Sequence, residues 1–235
     1  MSIRMILFDL DGTLLPMDQS KFAKDYFARI ARRMVPYGYD PTDMVKTIFS
    51  SCHAIATADG SRTNEEVFWA FMVDHFGKGI LDRLPDFDRF YEEEFCEVRA
   101  TCGFDPAASE VVHSLKDMGY RVAMATNPLF PRTATYQRIG WTGISPEEFE
   151  LFTTFEDFHF CKPNPKYYME VMDRLGVSPE ECLMVGNDVD EDMIAETLGA
   201  KVFLINRTVL CKSGKDYSHY PQGSLNDLLE YVKTL

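Results

Sequence analysis

Short apolar runs alternate with stretches of helical periodicity over most of this chain. Apolar runs with little polar alternation are typical of strands that are covered on both faces. They predict strands at 3–8, 121–126, 182–185 and 201–205, and a shorter one at 151–154. Apolar residues that recur every three or four positions predict helices between them, at 106–118, 131–139, 165–175, 190–198 and from about 224. This alternation predicts an α/β fold, a parallel sheet with helices on both faces.

One long segment, from about residue 20 to about residue 96, breaks the alternation because it shows helical periodicity alone. It predicts four helices, at 21–35, at 42–58, from Thr63 or Asn64 to Gly77, and at about 86–96. The third has the strongest start signal, a capping residue followed by glutamates in the first turn. We therefore expect an all-helical domain at 17–99, inserted into an α/β core domain formed by 1–16 and 100–235.

The chain has 235 residues, of which 26% are charged, and a formal net charge of −13. This acidic field repels a polyanion, so no nucleic-acid partner is expected. The six cysteines are scattered without a Cys-x-x-Cys pair, and the amino-terminal residues do not resemble a signal peptide. No apolar run reaches the length of a membrane span. We therefore expect a cytoplasmic protein with reduced thiols and no membrane partner.

Two carboxylates end the first predicted strand, in the sequence Asp9-Leu10-Asp11-Gly12. The glycine allows the backbone to turn sharply, and ligands of open parallel sheets bind at the carboxyl ends of the strands. Two nearby carboxylates repel each other, so one changes its proton affinity unless a cation neutralises the pair. The pair predicts a metal-assisted site in which one aspartate attacks and the other transfers a proton.

Further polar residues follow other strands and are expected at the same edge of the sheet. Thr126 and Asn127 follow the second strand, Lys162 follows the short strand after a loop, and Asp188 and Asp192 follow the next strand. A carboxylate is a weak nucleophile, so a divalent cation must orient it and neutralise the oxygens of the attacked group. Lysine and a hydroxyl can hold the remaining oxygens. Hard oxygen ligands with open positions favour Mg²⁺.

These residues, in this order, resemble the four motifs of the haloacid dehalogenase-like hydrolases. Asp9-Leu10-Asp11-Gly12-Thr13 resembles the first motif, Thr126-Asn127 the second, Lys162 the third, and Gly186-Asn187-Asp188 with Asp192 the fourth. The order and approximate spacing agree over nearly the whole chain. The helical segment resembles the cap that such proteins insert after the first motif. The resemblance implies a Rossmann-like core with an inserted all-helical cap.

The resemblance also implies a role for each matched residue. Asp9 would be the nucleophile that becomes an aspartyl-phosphate, and Asp11 would be the general acid and base. Thr126, Asn127 and Lys162 would bind the phosphoryl group. The dehalogenases of the family carry no aspartate two places after the nucleophile, so Asp11 points to phosphoryl chemistry.

Mg²⁺ is the implied cofactor, held by the Asp9 carboxylate, the Asp11 carbonyl oxygen and Asp188. The fourth motif departs from its commoner form because Asn187 directly follows the glycine. Either Asp188 is the ligand, in a loop one residue longer, or Asn187 takes that place. We favour Asp188 because an anionic oxygen binds Mg²⁺ better than an amide oxygen. Asp192 would hold the motif lysine or a metal-bound water.

The sequence therefore predicts a Mg²⁺-dependent phosphatase that acts on a small phosphorylated metabolite. In the cap, the loop at 59–62 is expected to reach the site, where Arg62 would hold a substrate carboxylate or a second phosphate. The alternative for this loop is an exposed connection between helices. A phosphomutase with the same core residues is a second candidate function. A phospho-accepting switch or a binding protein without turnover is a third.

Overall fold

The structure is a computed structural model that describes residues 2–235. Its centre is a five-stranded sheet, ordered β2-β1-β3-β4-β5, in which every paired strand is parallel. The strands are β1 (Met5–Phe8), β2 (Arg121–Met124), β3 (Cys182–Gly186), β4 (Lys201–Ile205) and β5 (Gln222–Gly223). The predicted parallel sheet is confirmed, and its four principal strands lie within two residues of the expected bounds.

The sheet has its topological switch point beside β1, and this determines where a ligand crevice forms. Phe8 pairs with Met124 of β2 on one side and with Val185 of β3 on the other. From β1 the chain first adds β2 on one side and later adds β3, β4 and β5 on the other. In open α/β sheets a ligand crevice forms at such a switch point, beyond the carboxyl ends of the strands. Here that crevice lies beyond β1 and β3.

Both faces of the sheet are covered, because alternate residues of β1 enter different hydrophobic cores. Ile6 and Phe8 belong to one core, and Met5 and Leu7 belong to the other. The helices of this part are α5 (Pro106–Asp117), α6 (Arg132–Trp141), α7 (Pro165–Leu175) and α8 (Leu225–Val232). Residues of α5 and α8 fill the first core, whereas α7 packs in the second. This explains why β1 lacks a polar face.

The chain between β1 and α5 contains helices only, and these helices form the inserted cap. They are α1 (Gln19–Met34), α2 (Pro41–Ala56), α3 (Asn64–Phe76) and α4 (Leu84–Arg89), with short 3-10 turns between them. At the start of α3, the Thr63 hydroxyl accepts from the Glu66 amide and the Glu66 carboxylate accepts from the Thr63 amide. The predicted capping box is therefore confirmed. The domain bounds 1–16, 17–99 and 100–235 stay a prediction.

Three expected elements are shorter or different in the structure. The helix expected at 86–96 ends at Arg89 and continues as a π turn and a 3-10 helix. The strand expected at 151–154 is a single bridge between Phe152 and Met124. The helix expected at 190–198 is a 3-10 helix, Met193–Leu198. In the third case Asp188 holds the amides of the preceding turn, and such side-chain bonds compete with helix formation.

The amino-terminal end of α3 attaches the cap to the core. Asn64 is fully buried, and its Nδ2 donates to the carbonyl oxygens of Pro128 and Phe160, both at 3.2 Å. The Asn64 backbone amide donates to the Phe158 carbonyl oxygen at 2.8 Å, and the Glu65 amide donates to that of Phe155 at 2.9 Å. Four hydrogen bonds from two adjacent cap residues therefore hold α3 on the loops of the core.

Two sequence expectations concern cysteines and membrane spans. All six cysteines are free thiols in the structure. Within residues 2–235, no helix combines the length and the apolar character needed to cross a membrane.

Candidate active site

Asp9 lies at the carboxyl end of β1, with its backbone amide donating to the Val185 carbonyl oxygen at 2.8 Å. Its carboxylate is held at both oxygens. Oδ1 accepts from Lys162 Nζ at 2.9 Å, and Oδ2 accepts from Thr13 Oγ1 at 3.0 Å. Asp9 is only 8% exposed, so this orientation is fixed by protein groups rather than by bulk water. A fixed carboxylate at a strand end is the arrangement that a nucleophile needs.

Lys162 is buried between two carboxylates and joins them. Its Nζ lies 2.9 Å from Asp9 Oδ1 and 2.6 Å from Asp192 Oδ1. Burial alone would lower the pKa of Lys162, but the charges of Asp192 and Asp9 outweigh it and hold the pKa well above its ordinary value. Asp192 Oδ2 in turn accepts from the Asp188 amide at 2.9 Å. The ammonium is therefore protonated and tied to the loop after β3.

Asp11 forms an ion pair with the buried Arg138 of α6. The Arg138 side chain is 1% exposed, and its guanidinium lies 4.4 Å from the centre of the Phe130 ring. Asp11 Oδ1 is buried and has no partner among residues 2–235. Burial raises the pKa of the Asp11 carboxyl, although the Arg138 charge opposes this. One carboxyl oxygen is thus anchored, while the other has no hydrogen bond within the described chain.

Asn187 and Asp188, in the loop after β3, differ in how fully their side chains are hydrogen-bonded. The Asn187 amide is engaged at both ends, because Oδ1 accepts from Thr13 Oγ1 at 3.2 Å and Nδ2 donates to the Thr208 carbonyl at 2.7 Å. A Cβ at Gly12 would lie 2.4 Å from Asn187 Nδ2, so the glycine allows this close approach. Asp188 uses only Oδ1 in hydrogen bonds, with the amides of the next turn. This difference supports Asp188 as the oxygen ligand.

Thr126 and Asn127 follow β2, and Asn127 lies with Asp11 on the wall of one cavity. Thr126 is 2% exposed, and its carbonyl oxygen accepts from Thr153 Oγ1 at 2.5 Å and from the Tyr167 hydroxyl at 2.7 Å. These bonds fix the backbone of the strand end. Asn127 Nδ2 donates to Glu191 at 3.1 Å, and its buried Oδ1 has no partner within residues 2–235.

The donor set fits a hard divalent cation. Asp9 and Asp188 supply carboxylate oxygens, and the Asp11 backbone can supply a carbonyl oxygen, all oxygen ligands of the kind that Mg²⁺ prefers. In the described chain, no group of three or more His, Cys, Asp or Glu side chains is arranged to hold a metal. Mg²⁺ commonly takes only one or two carboxylates and completes its shell with water and phosphate oxygens. Two carboxylates and a carbonyl oxygen are consistent with that coordination preference.

A cavity of about 370 Å³ extends from Asp11, Asn127 and Glu191 toward the cap helices. Its walls are mainly aromatic and aliphatic side chains of α1, α2, α3 and the loop after β2. None of its lining residues, all of which lie in the described chain, is Lys, Arg or His. Arg62 is exposed and is not among the lining residues, so the structure does not bring it to the cavity. Its loop instead covers the Phe160 ring, which a Cβ at Gly60 would meet at 2.2 Å.

Sequence reasoning missed Arg138 and Thr208 as parts of the site, and it named Thr13 in the first motif without giving it a role. Arg138 could not be recognised from the sequence because its place in the site depends on the ion pair with Asp11, a residue more than a hundred positions away. One signal was present: helical spacing places Arg138 on the same face as buried Ala134 and Thr135. An arginine on a buried helix face needs a partner charge.

The structure combines a parallel sheet, which has aspartates and a buried lysine at its carboxyl edge, with an inserted helical cap. This is the architecture of the class of proteins whose four motifs the sequence resembles. The profile of the haloacid dehalogenase-like hydrolases matches residues 3–195. The chain therefore belongs to the haloacid dehalogenase-like hydrolase family, as its motifs suggested.

Relatives and solved structures agree with this assignment. Pyrophosphatase PpaX of Bacillus cereus is 25% identical over 210 residues, which cover 89% of this chain and 86% of PpaX. The HAD phosphatase from Thermococcus onnurineus superposes with a TM-score of 0.61 at 20% identity over 98% of both chains. The HAD-hydrolase YfnB from Bacillus subtilis, solved bound to magnesium, has a TM-score of 0.58 at 21% identity, over 99% of this chain and 100% of YfnB. The fold is thus that of HAD hydrolases, and the relatives carry phosphatase names.

Proposed function

We propose that this protein is a Mg²⁺-dependent phosphatase that hydrolyses a small phosphomonoester through an aspartyl-phosphate. The observation that carries the proposal is the Asp9 carboxylate, held between Lys162 and Thr13 at the end of β1, with Asp11, two residues away, on the wall of the cavity. The name of the relative PpaX supports phosphoryl chemistry in general.

The proposed reaction has two displacements at phosphorus. In the first, an Asp9 oxygen bonds to phosphorus, the ester P–O bond breaks, and the Asp11 carboxyl protonates the departing oxygen. In the second, Asp11 takes a proton from water, the water oxygen bonds to phosphorus, and the Asp9–phosphorus bond breaks. Lys162, with Thr126 and Asn127, holds the oxygens of the transferred group. The buried site limits attack by stray water.

Asp9, Asp188 and the Asp11 carbonyl oxygen would hold the Mg²⁺. When bound, the ion supplies charge neutralisation for the phosphoryl oxygens and orients them toward the nucleophile. Asp192 keeps Lys162 in place beside this group. The magnesium-bound neighbour YfnB supports the choice of ion.

Removal of divalent cations tests the proposal. We expect EDTA to stop phosphate release from a panel of sugar phosphates, nucleotides, phosphoglycolate and phosphoamino acids, and Mg²⁺ to restore it. The physical reason is that the oxygens of a phosphate dianion repel the Asp9 carboxylate unless a cation intervenes. Full activity in EDTA would contradict the metal requirement. Absence of released phosphate from every substrate with Mg²⁺ present would contradict the function.

A pair of variants tests which residue of the fourth motif binds the ion. We expect Asp188→Asn to raise the Mg²⁺ dissociation constant, measured by calorimetry, by at least about tenfold, since an anionic ligand is lost. Asn187→Ala removes the bonds to Thr13 and Thr208, so it is expected to change stability more than Mg²⁺ affinity. The reverse pattern, with affinity lost only in Asn187→Ala, would assign the ligand to Asn187.

The cavity favours a phosphatase over the phosphomutase alternative. A mutase that passes through a bisphosphate must hold a second phosphate in the cap, which requires positive groups there. The lining residues in the described chain provide none. Release of inorganic phosphate, measured against phosphate transfer between two hydroxyls of one sugar, separates the two activities.

A further inference from the structure

The walls of the cavity form a connected aromatic surface. The Trp69 ring meets Phe68 edge-on at 5.0 Å between centroids and meets Phe87 at 5.2 Å. Phe68 also meets Phe155, a residue of the core, at 6.0 Å. All four rings line the cavity. Such walls exclude water from a flat apolar group and bind it by stacking and edge contacts.

The charged residues of the cavity are all acidic. Besides Asp11 and Glu191 near the phosphoryl end, Glu65 and Asp88 of the cap and Glu156 of the core line it. None of these last three forms an ion pair with any residue of 2–235. Burial raises the pKa of Glu65, and the nearby Glu156 charge raises it further. The carboxylates are therefore close to one another and lack a neutralising cation.

One carboxylate oxygen of the cavity also lacks a partner. Glu156 Oε1 accepts from the Arg132 amide at 2.8 Å, but Oε2 is buried without a hydrogen bond in the described chain. Trp69 Nε1 lies beside the Glu65 carboxylate and, as a donor to it, opposes the rise that burial causes in the pKa of Glu65. Buried polar groups are normally satisfied, so the free Glu156 oxygen can accept from a donor group of a bound molecule. An ammonium can donate to a carboxylate oxygen and lie against an indole face.

We propose that the substrate is a phosphomonoester whose alcohol has an apolar body about the size of an aromatic ring and a cationic amine at its far end. The inference rests on the proposed phosphatase function and adds the substrate class. The phosphoryl group lies at Asp9 and Asp11, the ring packs against the aromatic wall formed by Phe68, Trp69 and Phe87, and the amine lies beside Glu65 and Glu156. Substrates whose second group is anionic, such as pyrophosphate or phosphoglycolate, meet carboxylates in this cavity rather than a basic residue.

Three matched phosphates test the inference. O-phosphotyramine, 4-ethylphenyl phosphate and 3-(4-phosphonooxyphenyl)propanoate share one ring and differ in carrying an ammonium, no charge or a carboxylate. We expect kcat/KM to fall in that order, by about tenfold at each step, and pyrophosphate to be poorer than the first two. Equal values, or a preference for the carboxylate or for pyrophosphate, would overturn the inference while leaving the phosphatase function intact.

Binding separates the inference from the function on which it rests. Calorimetry with the Asp9→Asn variant measures the affinity for the same three compounds without turnover. Binding in the expected order combined with no phosphate release by the unmodified enzyme would support the cavity's selectivity and overturn the proposed function. Equal binding of all three would overturn the selectivity.

A variant on α3 tests the residues named. Glu65→Gln is expected to lower the ratio of kcat/KM for O-phosphotyramine over 4-ethylphenyl phosphate at least about fivefold, because the charge is removed and the shape is kept. Asp74→Asn is the matched control, since Asp74 is an exposed acid of the same helix outside the cavity, and its ratio is expected to be unchanged. If Glu65→Gln fails to fold, Glu156→Gln serves in its place. An unchanged ratio in a folded variant would remove the amine from the proposal.

Discussion

Replacement of Asp9 by asparagine is expected to abolish turnover, with a loss in kcat of at least about 10⁴-fold, the scale seen when a covalent nucleophile is removed. An amide nitrogen or neutral oxygen does not attack phosphorus as a carboxylate does. The fold is expected to survive, because Lys162 keeps its ion pair with Asp192 at 2.6 Å. Phosphate release, thermal unfolding and the mass of the acid-quenched enzyme measure the three consequences: no product, a near-normal midpoint and no added phosphoryl group.

Asp40→Asn is the matched control for this variant. Asp40 is an exposed residue that caps α2, it does not line the cavity, and its Oδ1 accepts from the Asp43 amide at 2.8 Å. Asparagine caps helices about as well as aspartate, so both activity and stability should remain near normal. Full activity of Asp9→Asn, or phosphoryl incorporation into it, would refute the nucleophile assignment.

Replacement of Asp11 by asparagine is expected to slow the reaction by roughly 10²–10⁴-fold, the usual contribution of general acid–base catalysis. The loss depends on the leaving group. An alkyl phosphate needs a proton on its departing oxygen, whereas 4-nitrophenolate leaves without one. With 4-nitrophenyl phosphate we therefore expect a burst of nitrophenolate and accumulation of the phosphorylated enzyme, since Asp11 is also needed to activate water.

Stability separates this variant from Asp9→Asn. Asp11 is the carboxylate partner of Arg138, whose side chain is 1% exposed. Removal of one partner from such a pair costs roughly 3 kcal/mol in the free energy of unfolding, because the remaining charge stays buried. Chemical denaturation should show this loss for Asp11→Asn and little loss for Asp9→Asn. A steady rate without a burst, together with unchanged stability, would contradict the assigned role and the importance of the ion pair.

Much of the fold could be predicted from the sequence because its signals are local. β1 has an apolar run buried on both faces, the start of α3 has its Thr63–Glu66 capping box, and α7 spans Pro165–Leu175 as expected. The expected strand at 151–154 failed for a non-local reason. There the side chain of Thr153 bonds to the Thr126 carbonyl oxygen, and the chain pairs with β2 at only one bridge.

The convergence at the site was predictable in part. Parallel strands end at one edge of a sheet, so Asp9 and Lys162 were expected to meet, and their 2.9 Å contact agrees with that expectation. The cavity was not predictable in the same way. A helical pattern shows which side chains are apolar but not which of them face a neighbouring domain. For that reason the sequence suggested Arg62 as a substrate contact, whereas the structure leaves it exposed and lines the cavity with rings and carboxylates.

The attachment of α3 to the core sets a condition on how fast products depart. The alcohol of the proposed substrate would lie between cap and core, and lifting α3 to release it would break the hydrogen bonds of Asn64 to three carbonyl oxygens. Water must replace each broken hydrogen bond, so the rate at which Asn64 leaves its carbonyl partners sets an upper limit on the turnover rate. Exchange of the amide protons at positions 64 and 65 with deuterium reports the frequency of that release directly.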